Sequence, residues 1–212
     1  MDKNNQSKEH ILKQGFEALS REGVRFFTVE SLAGHLGMSK KTIYKFFPTK
    51  EILIEKIVRF FTGMVKRKFK SVVESDENPV VKFNQVMDFI VKKISHISMD
   101  KAMEVKIRYP QVWHHIEQFR LDLRQYIAAI FKEAQEKGLA KSDIDMDVVA
   151  TIYMNIVNYT FQPEFFLRNN LAPVDTIRLF VKMVTGGLFT DKGLEVMKQH
   201  NTLATQHIKG TK

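Results

Sequence analysis

Apolar residues recur at three- and four-residue spacing along nearly the whole of this 212-residue chain, and long strict alternation is absent. A strand would need a period of two to gather its apolar side chains on one face, so the spacing confines the chain to helices. Breaks are few, since only 5 prolines and 10 glycines punctuate it. The fold class expected is all-α: an N-terminal three-helix unit containing a helix-turn-helix, followed by a larger helical domain. The first helix covers residues 7–22 and stops at Gly23. Short helices opened by Thr28 and Ser39 close at Gly37 and Pro48, and Thr49 opens a long one over 50–73. Beyond the turn-rich acidic stretch at 74–79, the spacing predicts helices over 79–98, 100–108, 110–137, 145–168 and 174–189, with a tail from Asp191.

Charge is placed unevenly. Residues 1–72 hold 15 Lys and Arg against 7 Asp and Glu, a net of +8, whereas the remaining residues are near neutral within a total of +9. Such asymmetry points to a polyanionic partner at one end and a different task at the other. The chain has no cysteine, which excludes disulfide scaffolds, thiol nucleophiles and thiolate metal sites. The longest charge-free apolar stretch, 148–163, is interrupted by Thr151, Asn155, Asn158 and Thr160 and is too short to span a membrane. A cytoplasmic protein with no membrane partner is expected. Neighbouring His114 and His115 point different ways on a helix, unlike the i, i+4 pair of a metal site, so neither a metal nor a cofactor is expected.

The densest local signal lies at residues 28–47, T-V-E-S-L-A-G-H-L-G-M-S-K-K-T-I-Y-K-F-F. Two short helices are joined by a three-residue turn containing Gly37, and small Ala33 permits a close crossing. Ile43, Phe46 and Phe47 form the inner side of the second helix, leaving Lys40, Lys41, Thr42, Tyr44 and Lys45 outside, as entry into a DNA major groove requires. An ordinary solvated charged face is the competing reading of the same lysines.

The stretch at 23–53 resembles the signature of the TetR/AcrR-type bacterial transcriptional regulators, in the Thr28 cap, L-A-x-x-L-G at 32–37, and S-K-x-T-I-Y-x-F-F-P-T-K-E-x-L from Ser39. The match covers roughly residues 7–65. It implies a DNA-binding domain at 5–65 and an effector-binding and dimerisation domain at 74–212. It further implies phosphate contacts from Thr28 and Lys50 and a recognition surface of Ser39, Lys40, Lys41, Thr42, Tyr44 and Lys45. Where the family often has Gly, this chain has Lys41, which can donate to guanine O6 or N7 and so alters the operator expected.

The implied function is a ligand-responsive regulator, a repressor that binds a palindromic operator of double-stranded DNA as a homodimer and is released by a small, largely apolar effector. Two long helices offer apolar stripes for dimerisation: Val148, Val149, Ile152, Tyr153, Ile156 and Val157 in one, and Ile177, Phe180, Val181, Val184, Gly187 and Leu188 in the other. Effector contacts are expected from Met103, Tyr109, Trp113, Phe119, Met154, Asn158, Phe161 and Gln162, an apolar set with polar anchors. No nucleophile-base pair, phosphate loop or metal motif supports catalysis, and an enzyme is not expected. An all-α lipid or small-molecule carrier or enzyme with a basic surface remains the alternative, and a membrane-surface protein is a third class.

Overall fold

A computed structural model of the protein describes residues 3–200. Among the described residues twelve α-helices follow one another: α1 Lys3–Glu22, α2 Val29–His35, α3 Lys40–Phe46, α4 Lys50–Val73, α5 Pro79–Ile94, α6 Met99–Arg108, α7 Pro110–Asp122, α8 Arg124–Glu136, α9 Met146–Asn155, α10 Pro163–Arg168, α11 Pro173–Leu188 and α12 Asp191–Gln199. A π-helical turn, Ile156–Thr160, continues directly from α9. Among the described residues the only extended pairing is an isolated bridge between Ala140 and Phe189. The all-α expectation holds. Residues 201–212, the end of the C-terminal domain expected at 74–212, lie outside the described residues.

Two long helices expected from spacing are interrupted. The one expected over 110–137 breaks at Leu123, whose N–H donates to the Arg120 carbonyl three residues back (3.1 Å), tightening the ladder locally while its side chain stays buried. The one expected over 145–168 ends in the π turn, where the Phe161 N–H reaches five residues back to Ile156 (3.1 Å). Pro163 then forces a restart: it forbids helical backbone at Gln162, which is extended (φ −91°, ψ 155°), and occupies the first turn of α10, where a missing N–H is harmless.

The fold divides into two compact units. Among the described residues, one contains residues 3–66 together with His96–Phe119; the other contains Arg67–Ser95 and residues 120–200. The division falls within α4 and within α7. In the first unit Ile11, Phe27, Leu32, Ile43, Leu53 and Ile57 form a core with almost no accessible surface. Helices α1 and α4 approach closely because Gly15 has no side chain: a Cβ there would meet Ile57 Cδ1 at 2.6 Å. Phe16 stacks on Phe61 beside that crossing, with centroids 4.2 Å apart and planes 8° from parallel.

The core of the second unit is aromatic. Phe83, Phe131, Phe189 and Tyr153 pack at centroid distances of 5.3 to 6.4 Å, and Tyr153 stacks on Phe180 at 5.1 Å. At its margin Lys82 is buried, yet its ammonium donates to Glu133 Oε2 (2.8 Å) and to the Val73 carbonyl (3.0 Å), so the charge is matched. Burial alone would raise the Glu133 carboxyl, but hydrogen bonds from Lys137 and Lys82 outweigh it and hold the pKa below its ordinary value. A carboxylate depressed in the folded state adds stability above its unfolded pKa and loses it as pH falls through the folded value. Glu133→Ala, which strands a buried ammonium, should therefore cost about 3 kcal/mol near neutral pH, with the gap from wild type narrowing below about pH 4. Urea denaturation at pH 7 and pH 3.5 measures both. Removing both charges, as in Lys82→Met with Glu133→Leu, should restore most of the loss.

Candidate nucleic-acid interface

The two short helices are held by their caps. Thr28 Oγ1 accepts from the Ser31 N–H at 3.0 Å and opens α2; Ser39 Oγ accepts from the Thr42 N–H at 3.1 Å and opens α3. Between them, Gly37 adopts φ +62°. The Met38 N–H donates to the Ala33 carbonyl (2.9 Å) and the Gly37 N–H to Gly34 (3.2 Å), the paired bonds by which a glycine-terminated helix satisfies its last carbonyls. Ala33 is buried at the crossing, as expected. Four residues, 36–39, separate α2 from α3, the last of them the Ser39 cap, one more than the three-residue turn expected.

Inside α3, Ile43 is wholly buried and Phe47, its cap, nearly so, while Phe46 is half-buried under the Lys8 ammonium, which lies 5.7 Å from the ring centroid. On the outside, Lys41, Tyr44 and Lys45 are exposed. Lys41 and Lys45, one turn apart, form no ion pair among the described residues. Lys40 is tied back to α2, its ammonium 2.7 Å from Glu30 Oε1 in an exposed pair. That hydrogen bond lowers the Glu30 pKa and raises that of Lys40. Thr42 is half-buried, and its hydroxyl lies 2.9 Å from that of Ser39. Lys50 stands in the first turn of α4, half-buried, and donates to the Val24 carbonyl at 3.3 Å. The eight residues expected to meet DNA thus all belong to α2, α3, their caps and the start of α4.

Residues from far along the chain complete this unit, and sequence spacing gave no sign of them. On α6, Lys101 donates to the Ser20 carbonyl (3.5 Å) and to that of Arg21, the open end of α1, and Glu104 Oε2 accepts from the Arg25 N–H at 3.4 Å. Val105 and Tyr109 pack against the unit's core. On α7, His115 joins α4 through Thr62 Oγ1 at 3.0 Å and Arg59 at 3.3 Å. A guanidinium only donates, so Nδ1 accepts from Arg59 and Nε2 carries the proton toward Thr62. Helical spacing argues His115 out of a metal site but does not reveal this tie.

The eight expected effector contacts fall into two sets. Met103, Tyr109, Trp113 and Phe119 lie on or beside α6 and α7 in the first unit. Burial raises the Tyr109 phenol, and Trp113 Nε1 donates to Glu117 at 3.1 Å. Met154, Asn158, Phe161 and Gln162 lie in the second unit, at the end of α9 and around the π turn; Met154, Asn158 and Gln162 are buried.

Residues 11–57 match the family profile described as bacterial regulatory proteins, tetR family. The chain is 22% identical over 185 residues to the uncharacterized HTH-type transcriptional regulator YvaF of Bacillus subtilis, covering 87% of this chain and 96% of that one. It is 22% identical over 151 residues to the HTH-type transcriptional repressor KstR2 of Mycobacterium tuberculosis, covering 68% and 74%. The crystal structure of a TetR transcription regulator from Haloarcula marismortui superimposes with a TM-score of 0.65 at 16% identity, covering 88% of this chain and all of the other. These relatives are regulators of transcription, not enzymes. No helix among the described residues is long and apolar enough to cross a membrane.

The caps carry a measurable share of the unit's stability. Ser39→Ala should cost about 1 kcal/mol, and Gly37→Ala about the same because of its positive φ. Lys41→Ala and Lys45→Ala should change stability by less than about 0.5 kcal/mol. Urea denaturation followed by circular dichroism separates the two groups.

Proposed function

We propose that the chain, whose residues 11–57 match the profile described as bacterial regulatory proteins, tetR family, binds a palindromic operator as a homodimer and represses transcription until a small, largely apolar effector releases it. The observation that carries the DNA reading is the outer face of α3, where Lys41, Tyr44 and Lys45 are exposed on a helix whose inner side is committed to the core. Lys41 and Lys45 are assigned to base edges, with Thr42 and Tyr44 beside them; Thr28, Ser39 and Lys50 stand where helix starts meet phosphates. Lys40 contributes less, since leaving Glu30 offsets part of what it gains. Lys45→Ala should cost about 1 to 3 kcal/mol at one operator position, whereas Lys50→Ala should weaken all sequences alike and lower the salt slope by about one. Titrations of the full chain against operator DNA at several salt concentrations test both; an unchanged slope for Lys50→Ala removes its phosphate role.

Dimerisation is supported by an apolar stripe left in water. On α9 and the π turn Val148, Ile152 and Tyr159 are 53%, 56% and 63% exposed, and on α11 Leu179 and Met183 are 58% and 66% exposed. Gly186 follows on the same side of α11 with open space above it, where a second helix can approach closely. This is narrower than the stripes expected from spacing: Tyr153, Val181 and Leu188 are buried within the chain. A two-fold pair sets two recognition helices about 34 Å apart, one turn of DNA. Ile152→Glu with Met183→Glu should shift sedimentation from dimer to monomer at micromolar concentration and abolish operator binding while leaving helix content unchanged.

Release requires that the effector bind two conformers unequally. We place it among Met154, Asn158, Phe161 and Gln162. α4 and α7 contribute residues to both units, so they are the elements through which occupancy would alter the fit of paired heads to the operator.

A further inference from the structure

The interior of the second unit contains an amide side chain with nothing to bond to. Asn158 has no accessible surface, and neither its Nδ2 nor its Oδ1 has a hydrogen-bond partner. Asn84, the other such amide among the described residues, leaves only Nδ2 open. Burying an amide without partners is unfavourable, and native interiors rarely retain one without a reason. The local groups do not supply one. Gln162, four residues on, turns its Nε2 to the main-chain carbonyl of Asn158 and so leaves the side chain unserved. The Tyr153 hydroxyl is directed at Met87 Sδ, 3.1 Å away, a weak acceptor.

A second, independent feature is the backbone that carries the residue. Asn158 is the middle residue of the π turn Ile156–Thr160 that ends the α9 segment, and π-helical turns are rare and recur at functional sites. Rings surround the same segment: Phe161 meets Phe180 edge-on at 5.3 Å, and Phe180 stacks on Tyr153 at 5.1 Å.

We propose that Asn158 is the polar anchor of the effector, and that the effector is an uncharged, largely aromatic molecule bearing a carboxamide-like group. This deepens the effector-responsive reading above and rests on it. A side-chain amide offers a donor and an acceptor side by side, and another amide answers both at once. A carboxylate would serve Nδ2 but set its charge against Oδ1; an ammonium would do the reverse. A hydrocarbon would serve neither atom.

The test uses three probes on one skeleton, cinnamamide, cinnamate and propenylbenzene, with the full chain and its Asn158→Leu variant. Calorimetric titration at pH 7 should show the wild type binding cinnamamide at least ten-fold tighter than either of the others. Asn158→Leu should erase that preference while melting no lower than wild type, since an unpaired amide has been replaced by an apolar group of similar size. Asn158→Gln, which keeps the donor and acceptor, should retain part of the preference. Equal binding of all three probes by the wild type overturns the inference, as does a preference that survives in Asn158→Leu. So does binding of none of them, which assigns Asn158 to a trapped water. Operator release is scored separately by gel shift across chemically diverse compounds. Release by a compound whose effect Asn158→Leu does not alter leaves the effector reading standing without this anchor, whereas release by nothing removes that reading itself.

Discussion

The burial of Ile43 is the constraint on which the N-terminal helical unit depends. A seven-residue helix has little stability of its own; α3 exists because one of its sides is sealed into the core formed with Ile11, Phe27, Leu32 and Ile57, and because Ser39 caps its first turn. Once Ile43 and Phe47 face inward, a 100° advance per residue leaves Lys41, Tyr44 and Lys45 no alternative to solvent. The exposed basic face proposed to meet DNA is therefore a by-product of core packing. The turn at Gly37 adds the remaining degree of definition, because its two main-chain hydrogen bonds fix where α3 starts relative to α2.

Much of this was legible in the sequence, for identifiable reasons. Thr28, Ser39 and Thr49 announce helix starts because a short side-chain oxygen has one favoured use there, and all three accept a main-chain N–H in the structure. Gly37 was readable because a left-handed residue between two apolar-periodic segments is nearly always glycine. The breaks at Leu123 and in 156–162 were not read, although Pro163 signalled the second. Apolar periodicity runs through a one-residue tightening or a five-residue π turn with only a small change of phase, so spacing alone joins what the backbone separates. Least legible were Lys101 and Glu104. They read as ordinary surface charges of an amphipathic helix, and their partners are main-chain groups some 80 residues earlier. The unpaired state of Asn158 belongs to the same class: the sequence offers it as an effector contact but does not say what it lacks.

The Lys40–Glu30 pair shows how charge count differs from charge available. The first third of the chain has an excess of +8, yet the lysine that opens α3 is partly neutralised by α2. An exposed pair of this kind contributes little to stability. Its effect is to concentrate the unopposed charge of α3 on two positions one turn apart, which is a narrower surface than the run of lysines in the sequence implies.

The grip of α6 on the end of α1 also sets a timetable. Lys101 supplies donors to the carbonyls of Ser20 and Arg21, and Val105 and Tyr109 close part of the head's core. On a ribosome adding about 5–20 residues per second, these groups follow their partners by on the order of 4–16 s. Through that interval the head is a chain of capped helices with an unfinished flank. Its maturation is thus coupled to synthesis of a segment well outside its own stretch of sequence, so that a nascent chain interrupted before α6 carries α3 without the support that completes its unit.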